Sequence, residues 1–181
     1  MRIAPIESPY FSLNLKLNKS SSYIQMRLYG TTVNTKNMPS TYMILKNSLP
    51  SILRSTCFNN ANKPFSIEVK ETEVGHLFEH MLLEFLCELK LAKGFRNASF
   101  KGKTCWDWYK DVRGVFHITT SCGVEDSDIL LEAIQRSNKL LGSIMETDIL
   151  YTPYKQANSL PVYMVNPADE NYSSSSSSIS P

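Results

Sequence analysis

Residues 73–92 read EVGHLFEHMLLEFLCELKLA, and the way this stretch folds decides the architecture of the chain. Thr72 is a capping residue type, Glu73 suits the positive end of a helix dipole and Gly94 is a stop signal, which together predict a helix from about Glu73 to Ala92. On a wheel of about 100° per residue with His76 at zero, Val74, Phe78, Met81, Leu82, Phe85 and Leu89 form a broad apolar face. His80 falls near 40°, Glu84 near 80°, Glu73 near 60° and Cys87 near 20°. A central helix buried on most of its circumference, with one polar slot, is the expectation.

Working outward, period-two alternation over Tyr10 to Leu17 and again over Tyr23 to Tyr29, across a polar turn at Asn18 to Ser22, predicts a hairpin. Met43, Leu45, Leu49, Ile52 and Leu53 suggest a helix from about Ser40 to Thr56, kinked or split by Pro50. A polar loop from Asn59 to Lys63 precedes a short predicted strand, Phe65 to Val69. Beyond the motif helix, Thr104 to Tyr109 and Val115 to Ser121 read as a second hairpin turning at Asp111 to Gly114. A last amphipathic helix from about Asp126 to Met145 uses Leu130, Ile134, Leu141 and Met145. The predicted fold is α+β: an antiparallel sheet from two hairpins with helices packed on it, a loose ββα repeat. Residues 1–151 form the expected domain, and residues 152–181, with the serine run Ser173 to Ser178, read as an extended disordered tail.

The chemistry concentrates in His76-Leu77-Phe78-Glu79-His80, which holds two of the three histidines of the chain. This is the H-x-x-E-H arrangement, in which two imidazoles one turn apart share an ion and a carboxylate serves as base. A buried slot of His and Glu is costly unless the groups are paired or metal-bound, so a metal is the simplest expectation, and zinc the expected ion. The third protein ligand is assigned to Glu84, one turn beyond His80, although His76 to Glu84 spans about 12 Å along a straight helix. Glu73, Glu125 and Cys87 stand as substitutes. Glu79, near 300°, lies off the ligand row, as suits a residue that polarises water and ferries its proton. Arg113, with Arg96 and Lys103 as further candidates, could hold a developing oxyanion. His117, on the face of its strand opposite Phe116 and Ile118, is read as an exposed strand histidine, and Trp106 and Trp108 as packing residues.

At 181 residues the chain suffices for one domain with a substantial core. Net charge is +2 with both signs interleaved, and no basic stripe supports nucleic-acid binding. No stretch approaches a membrane span, and the first fifteen residues lack the apolar core of a signal peptide, so a cytoplasmic location is expected. Cys57, Cys87, Cys105 and Cys122 form no C-x-x-C pair and are read as small buried residues.

Thr72 to Phe85, T-E-V-G-H-L-F-E-H-M-L-L-E-F, resembles the signature of the N-terminal domain of cyanophycin synthetases, followed here by Gly94-Phe95 and the hairpin ending Gly114-Val115-Phe116-His117-Ile118. The resemblance covers about Phe65 to Ser121. It implies a zinc peptidase-like site with His76, His80 and Glu84 as ligands and Glu79 as base, acting on a polymer with an aspartate backbone and arginine branches. The ligase modules of that family have no counterpart in this sequence, so polymer synthesis is not expected. The expected activity is zinc-dependent hydrolysis of an amide or peptide bond in a peptide or peptide-like polymer. The alternative is a non-catalytic, metal-stabilised domain that binds a polymer or protein partner.

Overall fold

A computed structural model describes residues 3–57 and 63–158, with 150–158 as helix backbone alone. Five strands, β1 (Ile6–Glu7), β2 (Phe11–Leu17), β3 (Ser22–Leu28), β4 (Gly102–Cys105) and β5 (Val115–Thr120), form one sheet in the order β1-β2-β3-β5-β4. Every neighbouring pair is antiparallel. Four helices pack against it: α1 (Thr41–Ser48), α2 (Phe65–Glu68), α3 (Val74–Ala92) and α4 (Ser127–Asn158). The fold is therefore α+β, with the two predicted hairpins joined side by side through β3 and β5.

Alternation sets the faces. Phe11, Leu13, Leu15 and Leu17 of β2, Ile24 and Met26 of β3, and Phe116 and Ile118 of β5 are buried on the helix side. Asn14, Lys16 and Thr119 face solvent. Burying a Phe or Leu of this kind contributes about 1.5–3 kcal/mol. On α3 the apolar face expected from the wheel is inside: Val74, Phe78, Met81 and Leu82 are fully covered. Gly75 lets this helix sit directly on the sheet, because a Cβ there would lie 2.4 Å from the Phe116 ring. On α4, Leu130, Ile134, Leu141 and Met145 are buried as the pattern predicts.

Several boundaries differ from expectation. The helix interrupted at Pro50 is α1 followed by a 3-10 turn, Pro50–Arg54, in which the proline takes the first position, where it needs no N–H partner. Phe65 to Val69, expected as a strand, is the helical turn α2; Phe65 points fully into the core and Pro64 sets its N-terminus. The short strand β1, absent from the expected elements, pairs with β2. The strand β4 lies earlier than Thr104 to Tyr109. Asp107 folds the following segment into a turn, its carbonyl accepting from the Lys110 and Asp111 amides and its carboxylate from the Tyr109 amide. Trp106 and Trp108 then pack edge-on against Phe116. Helix α4 runs through Asn158, so the expected limit at 151 falls inside a helix; the serine run lies outside the described residues.

Candidate metal centre

The helix α3 begins at Val74, and its N-cap is Glu73, whose side chain makes no capping bond. Thr72, expected to cap the backbone, places its hydroxyl 2.8 Å from Nδ1 of His76 instead. One turn on, Nδ1 of His80 lies 3.3 Å from the Ser55 hydroxyl. That hydroxyl also donates to the Ile52 carbonyl, which can only accept, so it accepts the His80 Nδ1 proton. His80 is thereby held with its Nε2 lone pair available. Phe65 stacks on the His80 ring, with centroids 4.0 Å apart and planes inclined by 16°. Hydroxyls on the far nitrogens and a packed ring on one face are how metal-binding histidines are oriented.

The third member of the cluster is Cys57, from the segment after the 3-10 turn. Its Sγ lies 3.3 Å from Nε2 of His76. Donor atoms of Cys57, His76 and His80 all lie within 4.8 Å of one another, and these three residues could hold a metal ion. One thiolate and two imidazoles make the nitrogen and sulfur set that zinc favours, with donors about 3.3–3.8 Å apart around a tetrahedral ion. The residues fit the group. Glu84, expected as third ligand, is not part of this cluster and lines the adjoining cleft. Drawing the third ligand from another segment avoids stretching three ligands along one straight helix. The substitutes are elsewhere too: Glu73 occupies the N-cap position of α3, Glu125 lies in the 3-10 turn Val124–Asp126, and Cys87 lines the cleft with its thiol toward the Ala98 carbonyl. Cys57 is not among the expected ligands because it lies outside the motif helix; the usable signal is a single thiol elsewhere in the chain that completes a pair of i,i+4 histidines.

Glu79 is 5 % exposed and faces β4. The Thr104 hydroxyl donates to its carboxylate. Burial raises its pKa above the usual carboxylate range, against the pull of Thr104. Burial also lowers His76, opposed by Glu68, and lowers His80 to about 3, with the charge of His76 adding to the effect. Both imidazoles are therefore neutral at physiological pH, the form that binds a metal. Cys57, His76, Glu79, His80 and Glu84 open onto a cleft of about 860 Å³ whose far wall is residues 99–104. Lys101 and Lys103 line it. Arg113, expected to assist there, is not among the lining residues; its guanidinium sits 4.7 Å over the Trp108 ring.

His117 lies on the other face of the sheet. Its Nε2 is 2.8 Å from an Asp111 carboxylate oxygen and its Nδ1 2.5 Å from the Tyr23 hydroxyl. None of the four cysteines forms a disulfide. Among the described residues, no helix is long and apolar enough to cross a membrane. No protein-family model matches this chain, and no curated protein matches it.

Proposed function

We propose that this protein is a zinc-dependent hydrolase of amide or peptide bonds. The observation that carries the reading is the Cys57, His76 and His80 cluster opening onto the same cleft as the buried Glu79. Cys57, His76 and His80 would hold the ion at the wall of the cleft. Bound there, zinc supplies a Lewis acid that polarises a carbonyl and acidifies water. Glu79 takes up the proton of the attacking water and returns it to the leaving nitrogen, a task that its raised pKa favours. Thr104 fixes the carboxylate in place, and Ser55 and Thr72 fix the imidazoles. The resemblance of Thr72 to Phe85 to the N-terminal domain of cyanophycin synthetases supports the same reading and makes cyanophycin a substrate to test beside ordinary peptides.

A second reading, a metal-stabilised binding domain, draws on the two-segment origin of the ligands, since an ion there would clip Ser55 to Cys57 onto α3. Two measurements separate the readings. Cobalt loading should give thiolate-to-cobalt absorption that Cys57→Ser abolishes. Zinc-loaded wild type should cleave peptides or cyanophycin, while Glu79→Gln retains zinc and loses cleavage. Zinc bound by both proteins with no cleavage by either would leave the binding domain as the surviving reading. Absence of metal uptake would overturn both.

A further inference from the structure

Among the described residues, β4 is the last strand of the sheet, hydrogen-bonded to β5 on one side. Its ladder has a definite parity. The Ser121 amide donates to the Lys101 carbonyl at 2.8 Å. Bonded pairs in an antiparallel ladder recur at every second residue, so Lys103 and Cys105 turn their peptide groups to their partners Thr119 and His117. Gly102 and Thr104 turn theirs away from β5. At Gly102 the strand and α3 approach so closely that a Cβ would lie 2.6 Å from Glu79 Oε1. The outward edge of β4 is thus main-chain amide and carbonyl, and residues 99–104 run along the cleft that contains the metal cluster. The four residues of β4 extend about 13 Å.

We propose that this edge is the substrate-docking element: an extended polypeptide lies in the cleft as an added strand on β4, paired through the main chain at Gly102. The inference rests on the hydrolase reading for its consequence, a scissile main-chain amide laid beside Glu79, but not for the docking itself. Main-chain pairing supplies the affinity in this mode of recognition. The charges lining the cleft are mixed, Lys101 and Lys103 on the strand side against Glu84 on the helix side. Selection therefore falls on an extended, unstructured backbone rather than on net charge. Such a site favours main-chain amides of linear peptides over amides in side-chain branches.

The test uses the full chain and a fluorescent peptide of about ten residues, long enough to span the edge, with mixed Ala, Ser, Thr and Val. Binding is read by anisotropy in the cold, and cleavage is followed separately by mass spectrometry. The peptide should slow amide exchange at Gly102 roughly tenfold and leave Lys103 unchanged. N-methylation of the peptide at alternate residues should weaken binding roughly five- to tenfold, and at the intervening residues should leave it intact. Undetectable binding, unchanged exchange at Gly102 or an N-methyl effect without period two would overturn the proposal. Cleavage without the period-two pattern sinks the docking mode and spares the hydrolase. The pattern without cleavage by zinc-loaded protein does the reverse.

Discussion

His80 and His117 are both partly buried, both hydrogen-bonded and both stacked against an aromatic ring, yet they are prepared for opposite ends. His117 has both nitrogens engaged, by Asp111 and Tyr23, on the outer face of the sheet. His80 has one nitrogen held by Ser55, leaving a lone pair on the other, and it clusters with His76 and Cys57. Spare donor capacity, rather than burial or polarity, separates a ligand from a histidine that braces the sheet. The largest expected effect follows from that difference. Cys57→Ala, His76→Gln or His80→Gln should lower zinc affinity by roughly a hundredfold or more, beyond what loss of an outer hydrogen bond costs. His117→Gln should leave it unchanged. Zinc titration against a competing chelator checks this, and equal losses at both places would erase the distinction.

Acid sharpens the inner side of the comparison. Burial lowers His76 and His80, the latter to about 3, whereas each imidazole titrates near 6.5 in the unfolded chain. Between those values the unfolded state binds more protons than the folded one. Stability of the metal-free protein must therefore fall as pH drops below about 6.5, by about 1.4 kcal/mol per unit for each imidazole that stays neutral. Glu79, with its raised pKa, binds its proton more readily when folded and offsets part of the loss just above the usual carboxylate range. Denaturant unfolding between about pH 6 and 4 should show a slope that His80→Gln reduces by about 1.4 kcal/mol per unit. A slope indifferent to that substitution would mean that His80 is as easily protonated folded as unfolded.

How much of this was legible depends on the range of the signal. The β2 and β3 hairpin and the buried face of α3 follow from local alternation and a helical wheel, and both stand in the fold. Phe65 to Val69 carried a pattern too short to separate a strand from a helical turn; burial of Phe65 against the imidazoles decides it. Trp106 and Trp108 alternate as a strand would, but the Asp107 turn takes them out of the ladder and onto Phe116. At the site, the histidines and Glu79 were local to one helix, so the wheel could place them. Cys57 comes from a separate segment and reaches His76 only through the packing of that segment on α3. A wheel drawn on one helix could offer only Glu84. Thr72 illustrates the same limit, because a hydroxyl before a helix can serve the backbone or a side chain, and the His76 ring claims it here.

The smallest effects lie in the hydroxyls, where the two histidines are most alike. Ser55 and Tyr23 each place an oxygen on an Nδ1 atom, but with opposite polarity. Ser55 accepts from His80, since its own proton goes to the Ile52 carbonyl. The Asp111 carboxylate accepts from Nε2–H, so Nδ1 of the neutral His117 ring carries a lone pair and the Tyr23 hydroxyl donates to it. Removing the Ser55 oxygen frees His80 to turn and to change tautomer, so Ser55→Ala, like Thr72→Val at His76, should cost tenfold to a hundredfold in zinc affinity. Tyr23→Phe removes a hydrogen bond that serves only packing, and should cost roughly 0.5–1.5 kcal/mol of stability with zinc binding unaltered. Paired titration and unfolding of Ser55→Ala and Tyr23→Phe would show whether the hydroxyl at His80 orients a ligand while the one at His117 merely braces a sheet. If Ser55→Ala loses stability and keeps its zinc affinity, the orienting role assigned to that hydroxyl is wrong.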